Sequence, residues 1–202
     1  MLKRSLRSRW EMTLLAQLRF LPLRVALFQW RARRLAVRLG DEFATVSATR
    51  PRNLAVLLRA ARGRRQVVEL GTGSAWTAVS LVLADRAREV VTYDPIDRPE
   101  REPYLRLVGR GIRRRLRLVR AAGDEGPQGG GTVDLLYIDS SHDREDTLRE
   151  VHAWRPALRE GSLVVFDDFG HPDYPGVEEA VRCLRLEGEQ IGGLFIYRVS
   201  RK

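Results

Sequence analysis

Val67-Val68-Glu69-Leu70-Gly71-Thr72-Gly73-Ser74-Ala75-Trp76-Thr77 decides how this chain is read. An apolar run ends in an acid and opens into a Gly-x-Gly turn, and a helix-compatible run follows from residue 78 to residue 84. That order predicts a buried parallel strand feeding a helix through a tight loop. The glycines let the backbone turn sharply and approach a ligand. In open α/β sheets, ligands bind outside the carboxyl ends of the strands, where this loop lies.

The same alternation extends on both sides of the loop. The pattern predicts strands over 66–70, 89–93, 116–120, 133–139, 162–166 and 194–199. It predicts helices over 51–62, 76–84, 104–108, 144–154 and 177–186, with a Gly-rich surface turn at 126–131. Alternating strands and helices imply an α/β fold, a mainly parallel doubly wound sheet with helices on both faces. At 202 residues the chain suits one such domain, expected over 45–202, and a small extension over 1–44.

Charge separates the two parts. Residues 1–40 hold ten Lys or Arg and one acid, Glu11, whereas the other 162 residues hold 26 basic and 25 acidic groups. Leu6, Trp10, Leu14, Leu18 and Leu21 fall at helical spacing before Pro22. Phe28, Ala32, Leu35 and Leu39 form a second stripe ended by Gly40. Two basic amphipathic helices follow. They could pack on the domain, join two copies as a homodimer, or lie on an anionic membrane surface. Nucleic acid suits the charge but is not expected, because no binding module is recognisable. One cysteine, Cys183, excludes an internal disulfide framework, and its place in an amphipathic run predicts a packed core thiol. No cleavable signal or spanning apolar run is evident, so a cytoplasmic protein is the default expectation.

The loop is selective about its ligand. Trp76 stands where a dinucleotide fold needs its third glycine, and no Gly-Lys-Ser/Thr follows to grip phosphates. Asp94 ends the second strand, where a carboxylate can accept hydrogen bonds from both ribose hydroxyls. Gly123-Asp124 follows the third strand, within reach of an adenine. A nucleoside cofactor without pyrophosphate fits these features better than NAD.

Five segments in order carry a family resemblance. They are Glu69-Leu70-Gly71-Thr72-Gly73, Tyr93-Asp94, Gly123-Asp124, the run from Asp134 to His142, and Val164-Val165-Phe166-Asp167-Asp168. Over residues 45–199 the chain resembles class I S-adenosylmethionine-dependent methyltransferases of Rossmann-like fold. It is most similar to the small metal-dependent O-methyltransferases of the catechol and antibiotic-pathway types. The resemblance implies cofactor contacts from Glu69, Gly71, Gly73, Ser74, Asp94, Gly123 and Asp124. Ala75 replaces a third glycine usual in relatives, which predicts a slightly crowded methionine site.

Asp139 ends the fourth strand and Asp167-Asp168 the fifth, so three carboxylates can meet at one rim. Such a group repels itself unless protonated or bound to a cation, and oxygen-only donors suit Mg²⁺. The resemblance makes Asp139, Asp167 and Asp168 metal ligands. The alternative is that they cap the following loop and helix. His142, or His171 in a loop beyond the fifth strand, is the candidate base. The expected activity is metal-assisted methyl transfer to a hydroxyl of a phenol, catechol or other secondary metabolite. Rival readings are an RNA methyltransferase using the basic extension and a non-catalytic scaffold.

Overall fold

The computed structural model describes residues 18–200. Its centre is β1 (Gln66–Leu70), paired in parallel with β2 (Glu89–Tyr93) on one side and β4 (Val133–Ile138) on the other. β3 (Leu116–Val119) extends the sheet beyond β2. β5 (Leu158–Phe166) follows β4 in parallel, and β7 (Leu194–Arg198) and β6 (Gly188–Ile191) close that edge with antiparallel pairings. The order is β3-β2-β1-β4-β5-β7-β6. The strand order reverses between β1 and β4, which opens a crevice at their carboxyl ends.

Side-chain alternation assigns two cores to the two faces. Val67, Leu135, Tyr137, Leu163 and Val165 pack under one helical layer. Val68, Leu70, Leu136, Ile138, Val164 and Phe166 pack under the other. Every residue of β4 is buried, as a central parallel strand requires.

Helices α1 (Leu23–Leu39), α2 (Glu42–Ser47), α3 (Pro51–Ala60), α4 (Trp76–Ala84), α5 (Arg101–Leu105) and α6 (Arg110–Arg113) precede β4 in sequence. α7 (Arg144–Trp154) follows β4 and α8 (Pro175–Cys183) follows β5. α1 ends at Gly40 in the left-handed conformation (φ 67°), which glycine adopts without steric cost. This helix packs on the body: Val25, Phe28, Gln29, Ala32 and Ala36 are buried, and Gln29 Nε2 donates to Ser80 Oγ of α4 at 3.0 Å. The second half of the basic extension is therefore part of the core. Its outward side carries Leu23 (84% exposed) and Leu27 (51%). No described helix is long and apolar enough to cross a membrane.

Several expectations need correction. Leu6, Trp10 and Leu14 lie outside the described residues, whereas Leu18 and Leu21 are buried. Leu39 is exposed as the last residue of α1, where the chain turns away at Gly40, and the buried stripe of α1 is Val25, Phe28, Gln29, Ala32 and Ala36. Cys183 is exposed, not core. α8 buries Val177, Ala180 and Val181, and a residue two beyond Val181 faces the opposite side of a helix. The segment after α8 holds an additional strand, β6, beyond those expected from the sequence pattern.

Candidate active site

The crevice holds a cavity of about 980 Å³. That is the upper end of the roughly 300–1,000 Å³ typical of small-molecule sites. Gly71, Gly73, Ser74, Asp94, Gly123, Asp124, Asp139, His142, Asp167, Asp168 and His171 all line it. Of the site residues expected from sequence, Glu69 alone does not. Its carboxyl is 1% exposed behind the glycine loop, accepting from Thr92 Oγ1 at 2.5 Å. Burial, against that hydrogen bond, pushes it up to about 8.

The two loop glycines have different reasons. Gly71 (φ 97°) packs on β4 so closely that a Cβ would lie 1.8 Å from the Asp139 carbonyl oxygen. A Cβ on Gly73 (φ 48°) meets nothing nearer than 3.9 Å. Gly71 thus serves the strand junction, and Gly73 faces the cavity. Ala75 is the residue before α4, left-handed at φ 65° and wholly buried. It does not line the cavity, so its consequence is backbone strain, not a crowded ligand. Trp76 is buried edge-to-face on Tyr104, ring centroids 5.2 Å apart.

Asp94 is held in place. Its Oδ2 accepts from Gly73 N at 3.2 Å and pairs with Arg101, and its Oδ1 accepts from Ile96 N at 2.8 Å. Arg101 also donates to the Gly73 carbonyl at 2.6 Å, clamping the loop. Farther along, Asp124 pairs with Arg149 at 3.0 Å. Beside it stands Glu150, which the sequence reading missed. It accepts from Ser140 Oγ at 2.8 Å, and burial raises its carboxyl to about 7. Helix α2, also missed, covers the cavity with Phe43, on whose ring Arg98 lies at 4.1 Å.

At the opposite end, His142 Nε2 lies 3.4 Å from both Asp139 Oδ1 and Asp168 Oδ2, beyond the usual hydrogen-bond range. It is a buried nitrogen without a hydrogen-bond partner among the described residues. The imidazole stacks on Tyr174, centroids 4.6 Å apart. Asp167 Oδ2 accepts from Tyr137 Oη at 2.8 Å, and its Oδ1 faces Asn53 Nδ2 at 3.5 Å. Burial and the neighbouring Asp139 and Asp168 push Asp167 up to about 8. Asp139 is raised by burial as well, with the attraction of His142 opposing. Burial opposes the charged imidazole of His142, but the pull of Asp139, then Asp168 and Asp167, wins and raises its pKa.

His142 (φ 60°) and Asp168 (φ 52°), like Ala75, hold left-handed backbone. Three of the four described non-glycine residues in that region thus belong to segments around this cavity. Such strain persists only where surrounding structure over-determines it. Of the other aromatics, Trp154 is core and donates to the Gly123 carbonyl at 2.7 Å, and Phe169 stacks on Phe195. Among the described residues, no three His, Cys, Asp or Glu side chains stand closed around one point as a ready-made metal site.

Comparison with known proteins agrees with this layout. A family model described as "Methyltransferase domain" matches residues 68–169, half of the chain. The chain belongs to this methyltransferase family. The protein is a class I S-adenosylmethionine-dependent methyltransferase.

Solved structures share the fold of this methyltransferase. Cofactor-bound Rv0187 from MTB is 20% identical, covering 85% of this chain and 91% of its own, with TM-score 0.64. TomG from Streptomyces achromogenes, an O-methyltransferase of tomaymycin synthesis solved with the cofactor, is 18% identical over 85% and 88%, TM-score 0.61. CalS11, a TDP-rhamnose 3'-O-methyltransferase of calicheamicin biosynthesis, is 20% identical over 74% and 78%, TM-score 0.57. No curated protein matched by sequence. In the methyltransferase, Gly73, Ser74, Asp94 and Gly123 all line this one cavity.

Proposed function

We propose that this methyltransferase transfers the methyl group to a hydroxyl oxygen of a small molecule. The observation that carries the reading is a single cavity with a cofactor cradle at one end and His142 among Asp139, Asp167 and Asp168 at the other. The acceptor hydroxyl enters beside His142. The O–C bond forms as the methyl's bond to sulfur breaks, and the hydroxyl proton passes to His142 Nε2. Asp139 and Asp168, each 3.4 Å from that nitrogen, stabilise the imidazole once charged. Most of the remaining barrier is met by holding oxygen and methyl in line. TomG and CalS11, which carry O-methylation in their names, support an acceptor from secondary metabolism.

We further propose that Asp139, Asp167 and Asp168 hold a divalent cation, Mg²⁺. The donor chemistry fits: three carboxylates share a rim, and Asp139 and Asp167 are raised by burial and mutual repulsion. The buried, unpartnered His142 Nε2 between two of them marks a cluster incomplete as it stands. Held by these three carboxylates, such an ion would supply Lewis-acid chemistry, lowering the pKa of an acceptor hydroxyl.

Calorimetric titration with S-adenosylhomocysteine, in chelator and then with Mg²⁺ and a panel of catechols and phenols, tests the reading. Cofactor binding with a metal-dependent acceptor signal supports it. Cofactor binding without any acceptor signal refutes the small-phenol acceptor. Asp139→Ala should abolish metal-dependent turnover yet retain cofactor binding. His142→Ala should slow turnover by roughly 10²–10⁴, the range of general base catalysis. An unchanged rate would transfer the role to His171, which lies in the same cavity 4.9 Å from Tyr174, centroid to centroid.

A further inference from the structure

Residues two apart on a strand share a face, and the residue two before Asp139 is Tyr137, in an otherwise aliphatic stretch of β4. Its ring is wholly buried. Its Oη lies 2.8 Å from Asp167 Oδ2, 3.2 Å from Asp139 Oδ2 and 3.2 Å from Thr49 Oγ1. Thr49 Oγ1 in turn lies 2.8 Å from Thr77 Oγ1. Thr77 is the second residue of α4, just past the glycine loop, and Thr49 lies just before α3. These hydroxyls are buried, and burying one is costly unless it is bonded. A phenylalanine would supply the same packing, so packing alone gives no reason for the oxygen.

We propose that Tyr137 is a positioning residue: its hydroxyl fixes the spacing of Asp139 and Asp167, and the Thr49–Thr77 pair ties that spacing to the helix behind the cofactor loop. A phenol has one proton to donate and two lone pairs to offer. Shared between Asp167 Oδ2 at 2.8 Å and Asp139 Oδ2 at 3.2 Å, that one proton spans both carboxylates, while a lone pair accepts from Thr49, so the oxygen is a joint between the two halves of the cavity. What the two acids do once positioned rests on the metal-assisted reading above. Their spacing does not.

The test uses Tyr137→Phe in the full chain, with two readouts. The first is Mn²⁺ affinity by calorimetry in the presence of S-adenosylhomocysteine. The expected loss is roughly 10–100-fold, typical of removing a group that orients a metal ligand, with cofactor affinity unchanged. The second is a crystal structure of the variant beside the wild type. The two carboxylates should separate by more than about 0.5 Å, the tolerance of a productive site. Carboxylates that keep their places overturn the proposal, whatever the metal result. Wild-type protein that binds the cofactor but no Mn²⁺ overturns the metal reading instead, and the carboxylate spacing then decides for Tyr137. Thr49→Val should move Mn²⁺ affinity and spacing in the same direction, and Thr49→Ser, which keeps the hydroxyl, should restore both. If Tyr137→Phe fails to fold, the Thr49 pair decides: equal behaviour of Val and Ser variants refutes the joint.

Discussion

Replacing Gly71 by alanine should be far more damaging than the same change at Gly73, although the sequence presents them as one motif. The added Cβ at residue 71 would lie 1.8 Å from the Asp139 carbonyl oxygen, and Cβ atoms essentially never come within 3.0 Å. The end of β4 must therefore retreat by at least the difference, 1.2 Å. One backbone hydrogen bond spans this junction, from Asp139 N to the Leu70 carbonyl at 2.8 Å. Losing a buried bond costs about 1–3 kcal/mol, and left-handed backbone costs alanine roughly 1–2 kcal/mol more. The expected loss is about 2–5 kcal/mol, against a total stability of about 5–15 kcal/mol. Gly73→Ala meets only ordinary contacts, 3.9 Å from Ser47 Oγ and 4.0 Å from the Phe43 ring, and carries the backbone cost alone, about 1–2 kcal/mol. Urea unfolding of both variants measures this directly. If Gly71→Ala lies within about 1 kcal/mol of wild type, the close contact does not constrain the fold and the argument for a strand-junction glycine fails.

Three further outcomes are expected. Ala75→Gly relieves roughly 1–2 kcal/mol of left-handed strain but adds unfolded-chain entropy worth about 0.4–1 kcal/mol. It should raise the unfolding midpoint slightly, and a clear fall would mean that the methyl packs better than the backbone suffers. Glu69 keeps its proton in the fold up to about pH 8, whereas its ordinary value is 4.5. The folded state therefore holds a proton that the unfolded chain releases between these values, and stability falls as pH rises through that window. Glu69→Gln should flatten part of the decline in metal-free protein, and an unchanged slope in urea midpoints from pH 5 to 9 would refute this. Arg88 is 1% exposed and donates to the carbonyls of Ala61, Arg64 and Leu81. Arg88→Met strands these acceptors at about 1–3 kcal/mol each, so thermal unfolding should show a loss of several kcal/mol, where a surface arginine would show almost none.

The central strands and the cavity rim were legible because they are written locally. β1, β2, β4 and β5 are apolar runs that end in acids or glycines, and parallel pairing brings those ends together. β6 left no such mark: Gly188-Glu189-Gln190-Ile191 is an exposed edge with no alternation, and its strand character comes only from pairing with β7. Tyr137 carries no mark of its own in the sequence beyond its two-residue spacing from Asp139, which puts both on one face of β4. The resemblance implies a cofactor contact from Glu69; strand register sets its carboxyl against Thr92, behind the glycine loop, a placement that the sequence does not show. Cys183 was misread by half a turn of α8, since composition marks a helix as amphipathic without fixing which residues face inward. Asn53 and Arg101 gave no signal, because the groups they hold are 114 and 7 residues away in sequence, across turns that only the folded chain defines.

The docking of α1 on α4 has a consequence for anyone shortening this chain. The basic segment looks like a removable tail, yet a chain beginning after Gly40 would leave a trough on α4 once filled by Val25, Phe28, Ala32 and Ala36. Ser80 would lose Gln29, and the Trp76 ring at the head of the same helix would lose the Arg33 guanidinium 5.5 Å above it. Truncation would thus strip the back wall of the cofactor loop, and a loss of RNA or lipid affinity in such a fragment would report a collapsed protein as readily as a missing contact. Charge reversal at the outward Arg31, Arg34 and Arg38 leaves that wall standing and is the cleaner way to ask what the segment's charge is for.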